Sequence, residues 1–364
     1  MAEQDAIWAL GCMSGTSMDG VDAAMVLTDG VEVFEFGATG FRPYSVADKQ
    51  IIAAAQGQWP GDEGVLKAEE VVRAAHQHLI SRFSGVALVG FHGQTLAHDP
   101  DGARTHQVGD GGALARAIGL PVAWDFRSQD VKAGGQGAPL APFYHFALAR
   151  RFALGGVCFL NLGGVGNLTF VDPEAKTPDQ DQALLAFDTG PANALMDDFI
   201  HARTGLACDY GGAMAALGQA DDTIVNGFMR HPYFDKHPPK SLDRNEFIGL
   251  VDAVKHLSDV DGLATLAAAS VASITRAITE LPRQPVKVLV CGGGRKNTHL
   301  MALLRQDLPM PVEDIDKAGM DGDMLEAQAF AYLAVRVKNR QSLSAPGTTG
   351  APKPMSGGRI SQPR

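Results

Sequence analysis

The sequence has few of the features that mark disulfide-rich, zinc-binding or membrane-spanning proteins. Its 364 residues include four cysteines, scattered singly without a Cys-x-x-Cys pair. Three of them, Cys12, Cys158 and Cys291, lie in apolar stretches, so we expect buried, reduced thiols and no zinc site. No apolar run reaches the roughly 18 residues that span a bilayer, and the N-terminus lacks the pattern of a signal peptide. We expect a cytoplasmic protein with no membrane partner.

Positive charge is also scarce. The 31 Lys and Arg residues against 41 Asp and Glu residues give a formal net charge of −10. Because sequence-independent binding to a phosphate backbone needs the opposite balance, we expect no nucleic-acid partner. Apolar residues make up 45% and charged residues 20% of the chain, as in an ordinary globular protein. At roughly 150 residues per domain, the length favours two domains.

The common glycine-rich nucleotide motifs are missing. The chain has no Gly-x-x-x-x-Gly-Lys-Ser/Thr and no strand-to-helix Gly-x-Gly-x-x-Gly, so neither a P-loop NTPase nor a dinucleotide-binding Rossmann domain is supported. The chain nevertheless contains 42 glycines.

Two tight glycine-bearing turns, at residues 13–20 and 163–167, each separate two apolar runs. Glycine there lets backbone N–H groups close on a phosphate, although such a hairpin can also simply turn the chain.

The order of apolar runs and helical periods is repeated along the chain. Each half has a strand, a glycine-rich turn, two further strands, helices, another strand that ends in glycine, and a helix. This order predicts a duplicated α/β unit.

The predicted strands lie at 7–12, 21–27, 31–36, 86–91 and 122–124, and at 157–162, 168–171, 184–187 and 286–291. The predicted helices lie at 45–57, 62–83 and 110–118, and at 192–203, 262–280, 298–306 and 323–338. Residues 129–142 resemble a junction, and the Ser-, Pro- and Gly-rich tail 341–364 predicts a surface loop or disorder.

The first glycine-bearing turn carries hydroxyl and carboxylate side chains. Ser14, Thr16 and Ser17 can donate to phosphate, and Asp19 and Asp22 supply hard oxygen ligands suited to Mg²⁺. For Asp19 the alternative is a turn-forming Asp before Gly.

The segment 291–297 leads from a buried strand into a helix. Its glycines suit close approach of a flat ligand such as adenine, and Asn297 is either a helix cap or a ligand contact.

Asp188 is the residue best suited to catalysis. It ends an apolar strand, and Pro191 follows at the first-turn position favoured for proline in a helix. A carboxylate there could remove a proton from a hydroxyl or water, and the helix dipole would lower its pKa. The alternative is a helix-capping Asp. His92 and Gln94 are predicted on the loop after a strand, where they could bind a polyol.

Seven blocks, in order over nearly the whole chain, closely resemble the anhydro-N-acetylmuramic acid kinases. The blocks are Gly-Cys-Met-Ser-Gly-Thr-Ser-Met-Asp-Gly-Val-Asp (11–22), Phe-His-Gly-Gln-Thr (91–95), Asp-Phe-Arg-Ser-Gln-Asp (125–130), Gly-Gly-Gln-Gly-Ala-Pro (134–139), Asn-Leu-Gly-Gly-Val-Gly-Asn (161–167), Phe-Asp-Thr-Gly-Pro-Ala-Asn (187–193) and Cys-Gly-Gly-Gly-Arg-Lys-Asn (291–297). The resemblance implies an α/β, two-lobed actin/hexokinase-like (ASKHA) fold with duplicated mixed-sheet domains and an interlobe cleft. We expect the N-terminal lobe over 1–130, with 339–364 packing back on it, and the C-terminal lobe over 131–338.

The resemblance also implies a reaction. Family members use ATP and water to open the 1,6-anhydro bond of 1,6-anhydro-N-acetylmuramic acid and phosphorylate the 6-oxygen. The products are N-acetylmuramic acid 6-phosphate and ADP, and the process is cell-wall recycling. Asp188 matches the family's general base, which deprotonates the water that attacks the anomeric carbon while the departing 6-oxygen attacks the γ-phosphate.

Other residues are matched to ligands by the same resemblance, with ATP and Mg²⁺ as cofactors. His92, Gln94, Arg127 and Asp130 lie in blocks on the sugar side. Glu326 is a further carboxylate that either faces the phosphates or is a solvated helix residue. Asp19 is the candidate Mg²⁺ ligand. The nucleotide-binding set is Gly15, Thr16, Ser17, Met18, Asp19, Gly20, Val21 and Asp22 in the phosphate loop, Gly164, Gly166 and Asn167 in the second turn, and Gly292, Gly293, Gly294 and Asn297 around adenosine.

Two other functions stay open at this point. One is a kinase of an ordinary sugar, in which Asp188 would deprotonate a hydroxyl. The other is a non-catalytic, sugar-responsive ATP-binding regulator. Such a protein would normally bring a DNA-binding helix-turn-helix or interaction domain, and we find neither a basic N-terminal extension nor spare length for one. The sequence does not fix the oligomeric state, and a homodimer is compatible with it.

Overall fold

A computed structural model of the chain describes residues 5–15, 17–242 and 246–364. Contacts divide the chain into two units. The first unit contains the chain up to Ala153, Thr177–Asp179 and Met324–Arg364, and the second contains Leu154–Lys176 and Gln180–Asp323. Each unit combines helices with a mixed sheet of parallel and antiparallel strands, which confirms the α/β prediction.

The sheet of the first unit is built around a meander of three strands. Its strands are β1 (Ile7–Ser14), β2 (Gly20–Thr28), β3 (Val33–Pro43), β4 (Leu88–Asp99), β5 (Arg104–Val108), β6 (Val122–Trp124) and β14 (Arg359–Ser361). They lie in the order β14-β6-β4-β1-β2-β3, and β5 pairs with β4. β1 is antiparallel to β2 and parallel to β4, and β4 is parallel to β6. Two short strands, β12 (Ser342–Ser344) and β13 (Met355–Ser356), form a separate pair.

Helices of the first unit pack on this sheet through small and apolar residues. They are α1 (Val46–Ala54), α2 (Val65–Ile80), α3 (Gly111–Ile118), α4 (Ser128–Lys132), α5 (Pro142–Arg151), α11 (Leu325–Lys338) and α12 (Pro346–Thr349). Ser45 begins α1 with a capping box that it shares with Asp48. The three- and four-residue spacing of apolar side chains in α2 gives it one buried face, which packs in the core of the unit.

Two glycines allow α11 to lie unusually close to the sheet. A Cβ atom at Gly11, in β1, would overlap the backbone of Ala327 and Ala331. A Cβ atom at Gly90, in β4, would overlap the backbone of Phe330. These positions therefore require glycine for close packing rather than for a turn.

The second unit repeats the strand order of the first. Its strands are β7 (Val157–Leu162), β8 (Val165–Val171), β9 (Leu184–Pro191), β10 (Lys287–Cys291) and β11 (Val312–Asp314), in the order β11-β10-β7-β8-β9. β7 is antiparallel to β8 and parallel to β10, just as β1 is antiparallel to β2 and parallel to β4. The order and directions match β6-β4-β1-β2-β3, so the predicted duplication is confirmed.

The helices of the second unit surround one long apolar helix. They are α6 (Asn193–Thr204), α7 (Asp222–Phe228), α8 (Ile248–Val254), α9 (Asp259–Thr279) and α10 (Thr298–Asp307). Among the described helices, α9 alone has the length and composition to cross a membrane, but most of it is buried inside the unit. It packs there against β9, α6 and α7, as a core helix does.

The observed units differ from the expected lobes, whose boundaries were placed at residues 130 and 338. α5 packs on β3 and α11, and the Arg151 guanidinium donates to the main-chain oxygens of Val33 (2.8 Å) and Phe34 (2.7 Å). The expected junction 129–142 therefore lies inside the first unit. α11 also belongs to the first unit, because the close approach described above fixes it to β1 and β4.

The expectation of an irregular tail is wrong. Segment 341–364 forms β12, α12, β13 and β14, and β14 pairs antiparallel with β6. The Trp124 indole N–H also donates to the Ser361 hydroxyl (3.0 Å). Strands of two or three residues are too short to show a period in the sequence, and their partners are distant along the chain.

Gly11→Ala is expected to lower the free energy of unfolding by about 3 kcal/mol, because the added methyl group would collide with the main chain of α11. Urea-induced unfolding followed by circular dichroism measures the change. Gly227→Ala, in α7, is the matched control, since no described atom lies within 4 Å of a Cβ there. Unchanged stability of the Gly11→Ala protein would show that α11 does not approach β1 this closely.

Candidate active site

Adjacent strands of the second unit bring three polar side chains into one row. Asn161 of β7 lies opposite Asn167 of β8, and Asn167 lies opposite Asp188 of β9. On the other side of Asn161, β10 ends at Cys291, immediately before the predicted adenosine loop. One end of one sheet thus carries the predicted catalytic residue, the second glycine-bearing turn and the predicted adenosine loop. Asn161, which no sequence argument singled out by itself, lies between them.

The Asp188 carboxylate is held by two protein donors. The Asn167 amide nitrogen donates to Oδ1 (2.8 Å), and the Leu242 main-chain N–H donates to Oδ2 (2.8 Å). Because a carboxylate has about four acceptor positions, each oxygen can still accept a further hydrogen bond. The arrangement fixes the orientation of the carboxylate without using up its capacity to accept a proton.

The expected pKa shift of Asp188 is wrong in direction. Burial raises its pKa above the usual value for aspartate, and the hydrogen bonds from Asn167 and Leu242 only oppose this. Pro191 lies within β9, and α6 begins at Asn193. Asp188 is therefore neither a helix cap nor close enough to a helix N-terminus for the dipole to act strongly.

The second glycine-bearing turn is fastened to the start of α6. The main-chain N–H of Ala194 donates to the Gly164 carbonyl (3.1 Å), and the Asn193 side chain donates to the Gly163 carbonyl (2.8 Å). A Cβ at Gly166 would overlap the Thr189 hydroxyl oxygen, so this position cannot accept a larger residue without a shift. The turn is thus a rigid element beside Asp188.

The predicted adenosine loop has one open glycine between two tightly packed ones. Gly292 has φ of +75°, and a Cβ there would overlap the Asn161 side-chain oxygen. A Cβ at Gly294 would overlap Leu162, whereas no described atom lies within 4 Å of a Cβ at the exposed Gly293. Asn297 caps α10 by accepting from the Leu300 N–H (3.0 Å), which agrees with the first of its two predicted roles.

Arg295 supports this loop, and sequence reasoning missed it. Its guanidinium is buried and donates to the Gly292 carbonyl (3.1 Å), to Asp323 (2.9 Å) and to Asp316 (3.1 Å). Charge-assisted hydrogen bonds of this kind are roughly twice as strong as neutral ones. Asp316 and Asp323 lie more than twenty positions from Arg295, so local sequence carried no signal for the network.

In the first unit, the predicted phosphate loop joins β1 to β2. The Met18 N–H donates to the Gly15 carbonyl (3.0 Å), and Met18 has φ of +55°. Ser17 and Asp19 are exposed, and Asp19 forms an ion pair with Lys49 (3.5 Å). Gly20, Val21 and Asp22 begin β2. Thr16 lies outside the described residues.

His92 and Gln94 lie inside β4, and the expectation that they sit on a loop is wrong. Both are buried, and the Ser14 hydroxyl donates to the Gln94 side-chain oxygen (2.5 Å). The strand continues past the predicted end because β5 pairs with its second half. The apolar run that predicted the strand stopped at Phe91, where polar residues begin.

His92 and Arg127 form a hydrogen-bonded pair. The Arg127 Nε–H donates to His92 Nε2 (3.0 Å), and His92 Nδ1 lies 2.9 Å from the Gly93 carbonyl oxygen. Burial and the Arg127 charge hold the pKa of His92 well below its usual range. His92 is therefore a neutral imidazole with its proton on Nδ1. Burial also lowers the pKa of Arg127, while the charges of Glu326 and Asp130 oppose this.

Asp130 and Glu326 differ sharply in their surroundings. Asp130 is buried, and its carboxylate accepts from the Gly137 N–H (2.7 Å), the Thr349 hydroxyl (2.7 Å) and the Ser344 hydroxyl. It fastens the C-terminal segment to the loop after α4. Glu326, at the start of α11, is exposed. Among residues that the structure describes, no group of three or more His, Cys, Asp or Glu side chains could hold a metal ion.

Asp188→Asn is expected to raise the free energy of unfolding at pH 7. Because the pKa of Asp188 is raised in the folded state, the ionised carboxylate costs stability at neutral pH, and this cost disappears as the pH falls below the usual aspartate range. An asparagine has nearly the same shape as Asp188, and the Asn167 amide can turn over so that its oxygen accepts from the new side-chain NH₂ group. Urea titrations should show that the substitution increases the free energy of unfolding at pH 7 but not at pH 3. Equal effects at both would contradict the raised pKa.

Asp130→Ala is expected to loosen the C-terminal segment. Removing a carboxylate that accepts three hydrogen bonds leaves buried donors unpaired, so amide exchange across β12 and α12 should accelerate by about tenfold or more. Hydrogen–deuterium exchange with mass spectrometry measures this. Asp101→Ala, at an exposed position, is the control. Exchange that is unchanged by Asp130→Ala would remove its fastening role.

Comparison with known proteins agrees with the seven sequence blocks. In solved structures, a ligand-bound xylulose kinase from Lactobacillus acidophilus matches with a TM-score of 0.45 and 12% identity, covering 98% of this chain and 94% of that chain. The anhydro-N-acetylmuramic acid kinase of Cereibacter sphaeroides is 56% identical over 364 residues, covering 100% of this chain and 98% of the relative. Anhydro-N-acetylmuramic acid kinase 1 of Jannaschia sp. is 54% identical and covers 98% of this chain and 96% of the relative. The family model described as anhydro-N-acetylmuramic acid kinase matches residues 7–363. The chain therefore belongs to the anhydro-N-acetylmuramic acid kinase family and is a kinase.

Proposed function

We propose that this kinase hydrolytically opens the 1,6-anhydro ring of 1,6-anhydro-N-acetylmuramic acid and phosphorylates its 6-oxygen. The products are N-acetylmuramic acid 6-phosphate and ADP, and the reaction serves peptidoglycan recycling and amino-sugar catabolism in the cytoplasm, where ATP is available. The observation that carries the proposal is the oriented, half-buried Asp188 carboxylate in a chain that matches the family over its full length.

Asp188 is proposed as the general base. Burial raises the pKa of the Asp188 carboxyl, so its ionised form is a stronger base than an ordinary aspartate. Asn167 and Leu242 orient it, and each oxygen keeps a free acceptor position for a water molecule. Asp188 would take one proton from that water as the oxygen bonds to the anomeric carbon. The anhydro bond from that carbon to the 6-oxygen breaks, and the freed 6-oxygen receives the phosphoryl group.

The glycine-rich segments suit ATP, which supplies the phosphoryl group when bound. Gly293 presents open backbone between two glycines that pack against the sheet, as close approach of a flat adenine ring requires. We propose that Gly292–Gly294 contact adenosine. The first turn, residues 15–22, and the second turn, at Gly164, Gly166 and Asn167, are each proposed to bind phosphate through backbone N–H groups.

Asp19 is proposed as the Mg²⁺ ligand. Its carboxylate is exposed, and its partner Lys49 is a surface side chain at 3.5 Å, so the oxygens are accessible. Mg²⁺ in kinases is commonly held by one or two carboxylates, waters and substrate phosphates, and a cluster of protein ligands is not required.

On the sugar side, we propose that His92 and Arg127 contact the substrate and that Gln94 and Asp130 support them. Arg127 supplies a positive charge, and His92 accepts from its Nε–H and so holds the guanidinium in place. Gln94 and Asp130 already accept hydrogen bonds from Ser14 and from the C-terminal segment, so their main effect would be on the position of their neighbours.

Asp188→Asn is expected to reduce turnover by about 100- to 10,000-fold while binding of ATP and the anhydro sugar is kept, because general-base catalysis contributes in this range. ADP release gives turnover, and titration calorimetry gives binding. Asp222→Asn, an exposed aspartate of the same unit, is the matched control and should be fully active.

Two outcomes would contradict the proposal. Near-normal turnover of Asp188→Asn would remove Asp188 from the base role. Phosphorylation of ordinary amino sugars, with no reaction of the anhydro sugar, would leave the kinase assignment standing and would identify an ordinary sugar kinase.

A further inference from the structure

A short segment, Tyr233 to Leu242, covers the outer edge of β9 at Asp188. Among the described residues, β9 is the edge strand of its sheet, with β8 on one side only. The edge of a sheet exposes main-chain donors and acceptors that need partners. At Asp188 the partners come from this segment, which we call the edge segment.

The edge segment bonds to Asp188 at three different groups. The Asp188 main-chain N–H donates to the Lys240 carbonyl (2.9 Å), and the Tyr233 hydroxyl donates to the Asp188 carbonyl (2.6 Å). The Leu242 N–H donates to the side-chain Oδ2 (2.8 Å). The backbone and the carboxylate are thus held by the same ten-residue stretch, while Asn167 holds Oδ1 from β8.

A buried ion pair anchors the edge segment. The Lys240 ammonium lies 3.1 Å from a carboxylate oxygen of Glu280, and its side chain is only 5% exposed. It also donates to the Lys236 carbonyl (2.9 Å) and lies over the Tyr233 ring, 5.1 Å from the centroid. Glu280 caps the end of α9, the core helix of the unit. The ion pair therefore links the segment around Asp188 to the end of the buried helix α9.

We infer that Tyr233 and Lys240 are positioning residues for Asp188, setting the direction in which its carboxylate faces the reacting water. The inference rests on the proposed base role of Asp188. Tyr233 fixes the Asp188 main chain directly. Lys240, held by Glu280, fixes the part of the segment from which the Leu242 N–H reaches Oδ2. Neither side chain is required to touch substrate.

The charged and titratable groups around Asp188 make the effect measurable. The Tyr233 hydroxyl donates to the Asp188 carbonyl, and Lys240 pairs with Glu280. Burial, together with the charges of Asp188, Glu280 and Glu246, raises the pKa of Tyr233. The Leu242 N–H stabilises the ionised carboxylate. Any variant that moves this N–H away raises the pKa of Asp188, and the acid limb of the pH profile of kcat/KM then shifts to higher pH.

Tyr233→Phe and Lys240→Met test the inference. Tyr233→Phe removes one hydroxyl, and Lys240→Met removes the charge while Glu280 keeps Arg276 nearby (3.8 Å). Each variant is expected to lower kcat by about 10- to 100-fold with KM for ATP unchanged, because misplacement of a catalytic group costs in this range. The acid limb should shift to higher pH. A ¹³C titration of the Asp188 carboxyl in the full-length protein should show the same upward shift.

Matched controls separate positioning from general loss of stability. Tyr210→Phe removes a hydroxyl from an exposed tyrosine of the same unit, and Lys287→Met breaks a second lysine–glutamate ion pair, with Glu313 (3.2 Å). Both should keep the wild-type pH profile and Asp188 titration.

The outcomes distinguish this inference from the proposed function. If Asp188→Asn is inactive but Tyr233→Phe and Lys240→Met leave the acid limb and the ¹³C titration unchanged, the positioning role is overturned and the base role stands. If Asp188→Asn is active, the base role fails. A shifted ¹³C titration in the two variants would even then support the contact of the edge segment with Asp188.

Discussion

The two hydrogen bonds to the Asp188 carboxylate are the interaction on which the site depends. Desolvation makes this carboxylate more basic, and the donors from Asn167 and Leu242 limit that effect and fix its direction. One donor comes from the neighbouring strand and the other from a segment more than fifty residues away. The chemistry of one side chain therefore depends on both the sheet register and the packing of the edge segment. A free carboxylate on a loop would meet neither condition.

Glycines in this chain allow two kinds of close packing and one open stretch of backbone. Gly11 and Gly90 bring a helix backbone against the sheet, whereas Gly292 and Gly294 press a loop against β7. Gly293, between them, leaves open space beside the backbone. Arg295 holds the same loop by bonding to the Gly292 carbonyl and to aspartates. The first pair shapes the core, whereas the loop glycines and Arg295 hold in place the loop that is proposed to contact adenosine.

The sequence predicted much of this because strands and glycine turns are local signals. The nine strand positions, the duplication and Asp188 at an apolar strand were all visible in short stretches. Contacts between distant residues were not. The strand β4 continues through His92 and Gln94 because β5 pairs with it, and the tail is ordered by β6 and Asp130. Burial raises the pKa of Asp188, and α6 begins at Asn193 rather than at Pro191. Each of these depends on a partner or boundary that local sequence does not encode.

Isotope transfer from solvent tests most directly whether water is the nucleophile that opens the anhydro ring. Purified enzyme is incubated with Mg-ATP and 1,6-anhydro-N-acetylmuramic acid in heavy-oxygen water and stopped within minutes, beside unlabelled product kept in the same water to measure exchange at the anomeric carbon. Mass spectrometry should find heavy oxygen at the anomeric hydroxyl of a product that also carries a new phosphate. A phosphorylated product without heavy oxygen beyond that exchange control would show that water is not the nucleophile and would contradict the account.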